Sequence, residues 1–205
     1  DADLSWEGCF DENAGNSISV AVFYKEIEDA IERVVIAASG TAANARSFQN
    51  SELAELTGVE VEGRISFALT ESGDSEFFVD INAASIDSEV DTGGGTIGAM
   101  QGQPEYTANI ILGYDDFSTD QQLTLLLNQN GETVADRGIQ GAANVVLEPR
   151  LDVQLVYRWD ISEALSLRAK IDNLLNEEFE YTQDNRVFQR YERGTSFQVG
   201  IDWEI

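Results

Sequence analysis

Along the last ten residues, Phe197, Val199, Ile201, Trp203 and Ile205 alternate with Ser196, Gln198, Gly200, Asp202 and Glu204. Strict period two is the signature of a strand with unlike faces. The same pattern recurs upstream. Leu151, Val153, Leu155, Tyr157 and Trp159 alternate with Asp152, Gln154, Val156 and Arg158, and Leu165, Leu167, Ala169 and Ile171 with Ser166, Arg168, Lys170 and Asp172. Tyr106, Ala108, Ile110, Leu112 and Tyr114 form a row that begins and ends in tyrosine, with Leu123, Leu125 and Leu127 on its partner. Further rows run through Val59, Val61, Gly63, Ile65, Phe67 and Leu69, and through Phe77, Val79, Ile81 and Ala83. In the segment 17–35, Ile18, Val20, Val22 and Tyr24 give way to Ile27 and Ile31, and the change of phase predicts a β-bulge near Lys25 or Glu26. With Leu4, Trp6, Gly8 and Phe10 at the start, the pattern predicts nine strands.

The connections fall into two alternating classes. Those at 11–16, 70–75, 115–120 and 160–164 are short, and those at 36–55, 90–104, 131–150 and 181–194 are long. Short turns at one end and long loops at the other describe an antiparallel up-and-down transmembrane β-barrel with its long loops outside the cell and tyrosines at the membrane interfaces. A soluble β-sandwich also has alternating strands. It would have to bury Glu60, Arg64, Asp152, Arg168 and Lys170 in its core at large cost, whereas a water-filled lumen solvates them. Nine is an odd number, so the first and last strands of such a meander run the same way and do not close on each other. The expectation is therefore an all-β chain of nine strands that either lacks the first half of its barrel or has its edges covered by something else.

Composition narrows the function classes. With 38 acidic against 12 basic residues, a net charge of -26, nucleic acid is no partner. The absence of histidine removes the commonest general base and metal ligand, and an enzyme is not expected. Cys9, the one cysteine, forms no internal disulfide. There is no run of 18 apolar residues, which excludes a spanning helix and leaves a spanning barrel untouched. Asp1 already lies in strand pattern, so either a leader has been removed or the chain starts midway through a longer one.

Several stretches are similar to one family. Asp3, Leu4, Ser5, Trp6 and Glu7, leading through Phe10 to the block from Ser17 through Tyr24, Lys25, Glu26, Ile27, Glu28 and Asp29 to Ile31, resemble the mid-barrel region of TonB-dependent outer-membrane receptors. So do Leu56, Thr57, Gly58, Val59, Glu60, Val61 and Glu62. Lys170, Ile171, Asp172, Asn173, Leu174, Leu175, Asn176, Glu177, Glu178 and Phe179 look like that family's penultimate strand and the turn after it. Tyr191, Glu192, Arg193, Gly194, Thr195, Ser196 and Phe197 resemble the start of its last strand. The likenesses span the chain in the family's order. One departure is the C-terminus, where the family usually ends in an aromatic residue and this sequence has Ile205 with Trp203 two before it.

The resemblance implies that residues 1–205 are the C-terminal part of a barrel of about 22 strands around a plugged lumen, with the plug domain, TonB box and N-terminal strands outside this chain. It implies active import across the bacterial outer membrane, energised by the TonB-ExbB-ExbD complex, of a small-molecule nutrient such as an oligosaccharide or a siderophore. The Trp6-Glu7 and Phe23–Asp29 blocks look most like the branch in which carbohydrates are frequent. Outer-membrane lipids, lipopolysaccharide and a surface lipoprotein are the implied partners. A freestanding small porin or adhesin barrel, and a soluble binding module, are the alternative readings.

Ligand contacts are expected on the long loops. Phe48, Asn50, Tyr181, Asn185, Arg186, Phe188, Arg190, Tyr191 and Arg193 mix aromatic faces with amide and guanidinium donors that suit sugars or siderophore anions. Asp87, Glu89 and Asp91, alternating before Gly93, Gly94 and Gly95, supply the oxygen density calcium wants. The charged rows Glu60, Glu62, Arg64, Arg168, Lys170 and Asp172 are expected to form cross-strand pairs inside the barrel.

Overall fold

The fold, taken from a computed structural model, is described for residues 1–11, 15–36, 45–91, 97–139 and 141–204. Among these residues sixteen strands follow one another: β1 (Ala2–Asp11), β2 (Asn16–Glu28), β3 (Ile31–Ile36), β4 (Ala45–Asn50), β5 (Leu53–Ala68), β6 (Ser75–Asp91), β7 (Ile97–Gly98), β8 (Tyr106–Asp116), β9 (Gln121–Asn130), β10 (Thr133–Ile139), β11 (Val145–Leu147), β12 (Arg150–Ser162), β13 (Leu165–Asp172), β14 (Glu178–Gln183), β15 (Arg186–Glu192) and β16 (Ser196–Trp203).

Nine of them form one antiparallel meander in the order β1-β2-β5-β6-β8-β9-β12-β13-β16, with β7 added beside β6. These are the nine strands that the alternation predicts. Each pairs with the next in sequence among them, and the sheet is open, with β1 and β16 at its two ends. We call it the wall. Its register aligns like with like. Phe67, Phe77, Tyr114, Leu123, Tyr157, Ala169 and Val199 stand in one cross-strand row, and Val79, Leu112, Leu125, Leu155, Ile171 and Phe197 in the next. Large apolar side chains on this face are exposed, among them Trp6, Ile65, Ile81, Ile110 and Leu123. In water such an area would be costly; facing hydrocarbon it is the favourable arrangement.

The opposite face is polar. Glu7, Ser19, Glu62, Asn82, Asn109, Asn128 and Asp152 form a continuous row across seven strands. Asn82 donates to Glu60 at 2.9 Å and Glu62 at 3.0 Å, Asn109 donates to Asn82 at 3.3 Å, Asn128 to Asn109, and Asn130 to Asn128 at 2.7 Å. The basic residues on this face are paired, Arg64 with Asp80 and Arg168 with Asp202 across strands as expected, but Arg150 with Asp152, Arg158 with Asp160 and Lys170 with Asp172 along one strand, two residues apart, where alternation puts both side chains on the same face. One apolar group sits among them. The Phe78 ring lies flat over Gly113 on the neighbouring strand, where any Cβ would collide with it, and carries the Arg64 guanidinium 4.7 Å above its centroid.

The predicted bulge near Lys25 or Glu26 is absent. β2 pairs with β5 from Ser17 opposite Arg64 to Glu28 opposite Leu53 with no break in register. Ile27 stays within β2 opposite Ala54, on the face opposite to that of Tyr24, and Ile31 begins a new strand after β2 ends at Glu28 and Asp29 turns at a φ of 55°. Asp is among the residues that tolerate this left-handed conformation.

The larger departure concerns the long connections, which are themselves strands. β3 and β4 come from the first, β10 and β11 from the third, and β14 and β15 from the fourth, and together they form a second six-stranded sheet in the order β15-β14-β11-β10-β3-β4. We call it the cap. Three pairs of consecutive strands, β3 with β4, β10 with β11 and β14 with β15, are joined by two pairings distant in sequence: β11 with β14 antiparallel, and β10 with β3 in parallel, Arg137 opposite Val34 and Ile139 opposite Ile36. Chain from the second long connection joins cap to wall. Ile86 N donates to Glu105 O at 2.8 Å, Met100 N to Ser88 Oγ at 3.0 Å, and Gly102 N to Val134 O at 2.9 Å. The buried apolar residues Val34, Val35, Ala54, Val90, Val134 and Val145 concentrate at this end of the molecule.

Candidate functional site

Because long connections alternate with short turns, every strand of the cap lies at one end of the wall. β5 and β6 reach it because they have 16 and 17 residues, where about 9–11 suffice to cross a bilayer. All nine residues expected to contact ligand are found in this region: Phe48 and Asn50 on β4, Tyr181 on β14, Asn185 in the turn, Arg186, Phe188, Arg190 and Tyr191 on β15, and Arg193 just after it.

The interior of the cap is ionic. Glu32 on β3 and Arg137 on β10 are 2% and 3% exposed and joined by hydrogen bonds of 2.6 and 2.8 Å from Nε and Nη2 of the arginine. Arg137 also donates to the carbonyl of Ala99. A side chain at Gly98 would come within 2.7 Å of its guanidinium, so glycine there gives the arginine room. Beside this pair, buried Asp136 accepts from Arg33 of β3 and Arg46 of β4. Gln101 fills the remaining gap: its Oε1 accepts from Arg33 N at 2.6 Å, and its Nε2 donates to the carbonyls of Arg33 at 3.0 Å and Ala135. One side chain thus completes the backbone pairing where β3 and β10 diverge.

Four of the nine residues hold the β14–β15 hairpin together. Tyr191 stacks on Phe179 with centroids 4.9 Å apart and planes 2° apart, and Tyr181 lies 6.3 Å from Tyr191. Arg150 from the rim of the wall is 4.2 Å from the Phe179 centroid and Arg193 is 5.7 Å from it. Burial, then the neighbouring Tyr191, push the Tyr181 phenol up, with Asp136 adding to the effect and Arg33 opposing it. Arg190 pairs with Glu178 and Glu180, and Glu180 first of all holds its guanidinium further above its usual value. These side chains are engaged in packing.

The others are open. Phe48 is 71% exposed, and Asn50 faces Ile31 at the end of β4. Asp184 and Asn185 form a two-residue hairpin turn with φ of 53° and 56°, the primed geometry that Asp and Asn favour. Next to the turn lies a concavity of about 450 Å³ lined by Gly141, Ala142, Ala143, Gln183, Asp184, Arg186, Val187 and Phe188. A bulge opposite the Tyr181–Thr182 step leaves Phe188 unpaired between Val187 and Gln189 and re-aims its ring. Arg46 of β4 lies 5.6 Å from that ring's centroid, so the two edge strands of the cap meet there.

Arg46 escapes the sequence reading, although a signal for it exists. Arg46-Ser47-Phe48-Gln49 on β4 and Arg186-Val187-Phe188-Gln189 on β15 are the same Arg-x-Phe-Gln element on the two edges of one sheet. The acidic triplet behaves differently. Asp87, Glu89 and Asp91 succeed one another along β6 opposite Thr57, Glu55 and Leu53. Among the described residues no three acidic, histidine or cysteine side chains converge as a metal site. Gly93, Gly94, Gly95 and Ile205 lie outside the described residues.

The comparisons with known proteins agree with this architecture. A family model described as TonB dependent receptor-like, beta-barrel, matches residues 2–174. No curated protein matches the chain. Among solved structures, the FrpB iron transporter from Neisseria meningitidis (F3-3 variant) superposes with a TM-score of 0.65 at 12% identity. The alignment covers 98% of this chain and 29% of that one, a likeness of fold.

Proposed function

The chain belongs to the TonB dependent receptor-like β-barrel family, whose members reside in the outer membrane, and from that premise we propose that it forms wall and outer mouth of a TonB-energised importer. The observation that carries the reading is the pairing of two unlike sheets. A wall with an exposed apolar outer face and a hydrogen-bonded polar inner face ends, on the long-loop side, in a folded cap with an open concavity. Such a wall suits a lipid-embedded conduit, and such a cap suits capture of a solute from outside. The chain spans 29% of the length of the structural neighbour, and in this reading energy coupling comes from the TonB-ExbB-ExbD complex acting on the whole receptor. In this reading the protein is a transporter and not an enzyme, contacts lipid and lipopolysaccharide through the apolar face, and admits a surface lipoprotein over the cap.

For the imported nutrient, the neighbour's description as an iron transporter favours an iron complex, and the resemblance of the Trp6 and Phe23 regions favours an oligosaccharide. The test is growth on each of a panel of iron complexes and oligosaccharides as sole source, with the intact receptor gene present or deleted. The expected result is one nutrient whose use needs the receptor and is lost again when TonB is removed. Receptor-dependent uptake that persists without TonB would overturn the proposal.

A further inference from the structure

We propose that the cap is a latched barrel: β4 and β15, the two ends of its sheet, pair with each other in parallel, Phe48 settling beside Tyr191, and the cap alternates between this closed six-stranded form and the open one. The inference concerns the cap's own shape and stands whatever solute the receptor takes.

The end strands of a flat six-stranded sheet lie about 24 Å apart. Here the Arg46 guanidinium of β4 is 5.6 Å from the Phe188 ring of β15, so the sheet is curled until its ends nearly meet. The pairings fix the direction of that meeting. β4 is antiparallel to β3, β3 is parallel to β10, and β10, β11, β14 and β15 are successively antiparallel, so β4 and β15 run the same way. Closure is therefore a parallel pair, and it removes both edges of the cap.

Register follows from the faces. Phe48 stands opposite Arg33, and Arg33 and Arg46 both reach Asp136, so Arg46 and Phe48 share the side on which the ends approach. On β15, Tyr191 stacks over Phe179, and Gln189 lies opposite Tyr181, whose phenol feels the charges of Asp136 and Arg33. Tyr191 and Gln189 therefore face the same side. A bulge usually blunts an edge strand. The one in β15 instead turns Phe188 to the side of Gln189 and aims its ring at the other edge. With Arg46 against Phe188, the next residues to align on this side are Phe48 and Tyr191, and Ser47 falls beside Arg190 on the other.

Both ends are suited to pairing. Phe48 is 71% and Tyr191 40% exposed, and neither strand has the proline or lysine that keeps natural edges single. Closure adds Phe48 to the stack of Tyr181, Tyr191 and Phe179 and gives the edge amides and carbonyls protein partners. Water already bonds those groups in the open form, so the net gain is small and the two forms lie close in free energy.

The experiment uses the full-length receptor in detergent micelles, with Cys9 and any other cysteine replaced by serine. Ser47→Cys with Arg190→Cys, neighbours in the closed form, should cross-link under mild oxidation about tenfold faster than Ser47→Cys with Arg186→Cys, which lies roughly 10 Å further back along β15. Hydrogen exchange reads the latch in the absence of engineered cysteines. Phe188→Ser on β15 should speed exchange in β4 about fivefold, and Phe48→Ser on β4 should speed it in β15 by the same factor, the worth of one aromatic pair. Phe48→Tyr should keep the original rates, and β8 and β9 in the wall should not change. The open fold should survive Phe48→Ser because the side chain is exposed there, and the heat-modifiable mobility of the barrel on a gel checks this. Equal cross-linking of the two cysteine pairs, or faster exchange confined to the hairpin that carries the substitution, overturns the proposal. Neither readout involves TonB or a transported solute, so the result is independent of whether uptake proves TonB-dependent.

Discussion

Wall and cap both pair their backbone groups in β-sheets, yet they differ in how the partners are found. In the wall each strand lies against its neighbour in the meander, the apolar face is continuous, and charge is confined to the polar face in pairs. The cap draws its strands from three separate connections, mixes parallel with antiparallel pairing, and holds ionised groups in its interior. The wall's solution is repetitive and tolerant, because a substitution disturbs one rung. The cap's solution is particular: Arg137 and Gln101 each satisfy partners on two other connections, and Asp136 satisfies arginines on two strands. The comparison therefore predicts unequal sensitivity to mutation, in different regions and with different readouts.

The largest effect is expected at the buried pair. Glu32→Gln leaves Arg137 charged and without its carboxylate, at a cost of about 3–5 kcal/mol to the cap. Hydrogen exchange should then accelerate in β3 and β10 while β8 and β9 stay protected. Replacing both partners with methionine should restore much of the protection. Equal loss of protection in cap and wall would show that the two are one cooperative unit.

A charge on the lipid face tests the wall. Ile110 lies midway between Tyr106 and Tyr114 on an outward row, and Ile110→Arg should destabilise the barrel by about 2–4 kcal/mol. Its neighbour Asn109 faces the polar side, so Asn109→Ala should cost much less. Urea titration of the folded barrel in micelles would compare them, and similar midpoints would contradict the assignment of faces.

Gln101→Ala removes three hydrogen bonds at the joint between β3 and β10 and should cost about 1–3 kcal/mol. Faster protease cleavage near Met100 is the readout.

The smallest effect is a pH dependence. Burial first, then repulsion from Glu105 and Glu148, raises the Glu132 carboxyl above its ordinary 4.5. A raised acid favours the folded cap when protonated. That contribution is complete below the ordinary value and fades as pH climbs through the raised one. Asp116, the last residue of β8 beside the short turn at the other end, is lowered chiefly by the Ser118 hydroxyl, so its contribution is present at neutral pH and fades on acidification. Glu132→Gln should flatten the acid side of the cap's opening profile and leave the turn unaffected.

The contrast also explains what could be read from the chain. The wall was legible because a membrane imposes period two on every strand, as in Phe197, Val199, Ile201 and Trp203, and because turn lengths alternate. The cap was not, because its strands answer to partners unknown in advance. β11 is three residues long, Val145–Leu147, and β10 carries Asp136 and Arg137, which read as loop until Glu32 and Arg33 are placed beside them. The supposed bulge at Lys25 failed because Ile27 lies on the opposite face of β2 from Tyr24, and Ile31 belongs to a different sheet. For the proposed ligand residues, the end of the wall at which they lie was legible. Which ones were spent on packing, such as Tyr191 on Phe179, required the fold.

The parallel junction between β3 and β10 joins groups far apart along the chain: 103 residues separate Arg33 from Asp136 and 105 separate Glu32 from Arg137. Wall strands need no such reach, so the two sheets differ in contact order, and loop closure over that distance is slow. The meander can zip from hairpin to hairpin while the junction waits for its supports at both ends. The cap therefore completes after the wall beneath it, and a chain stalled while folding would present separate strand pairs at that end, without the concavity that Gly141, Gln183 and Phe188 line.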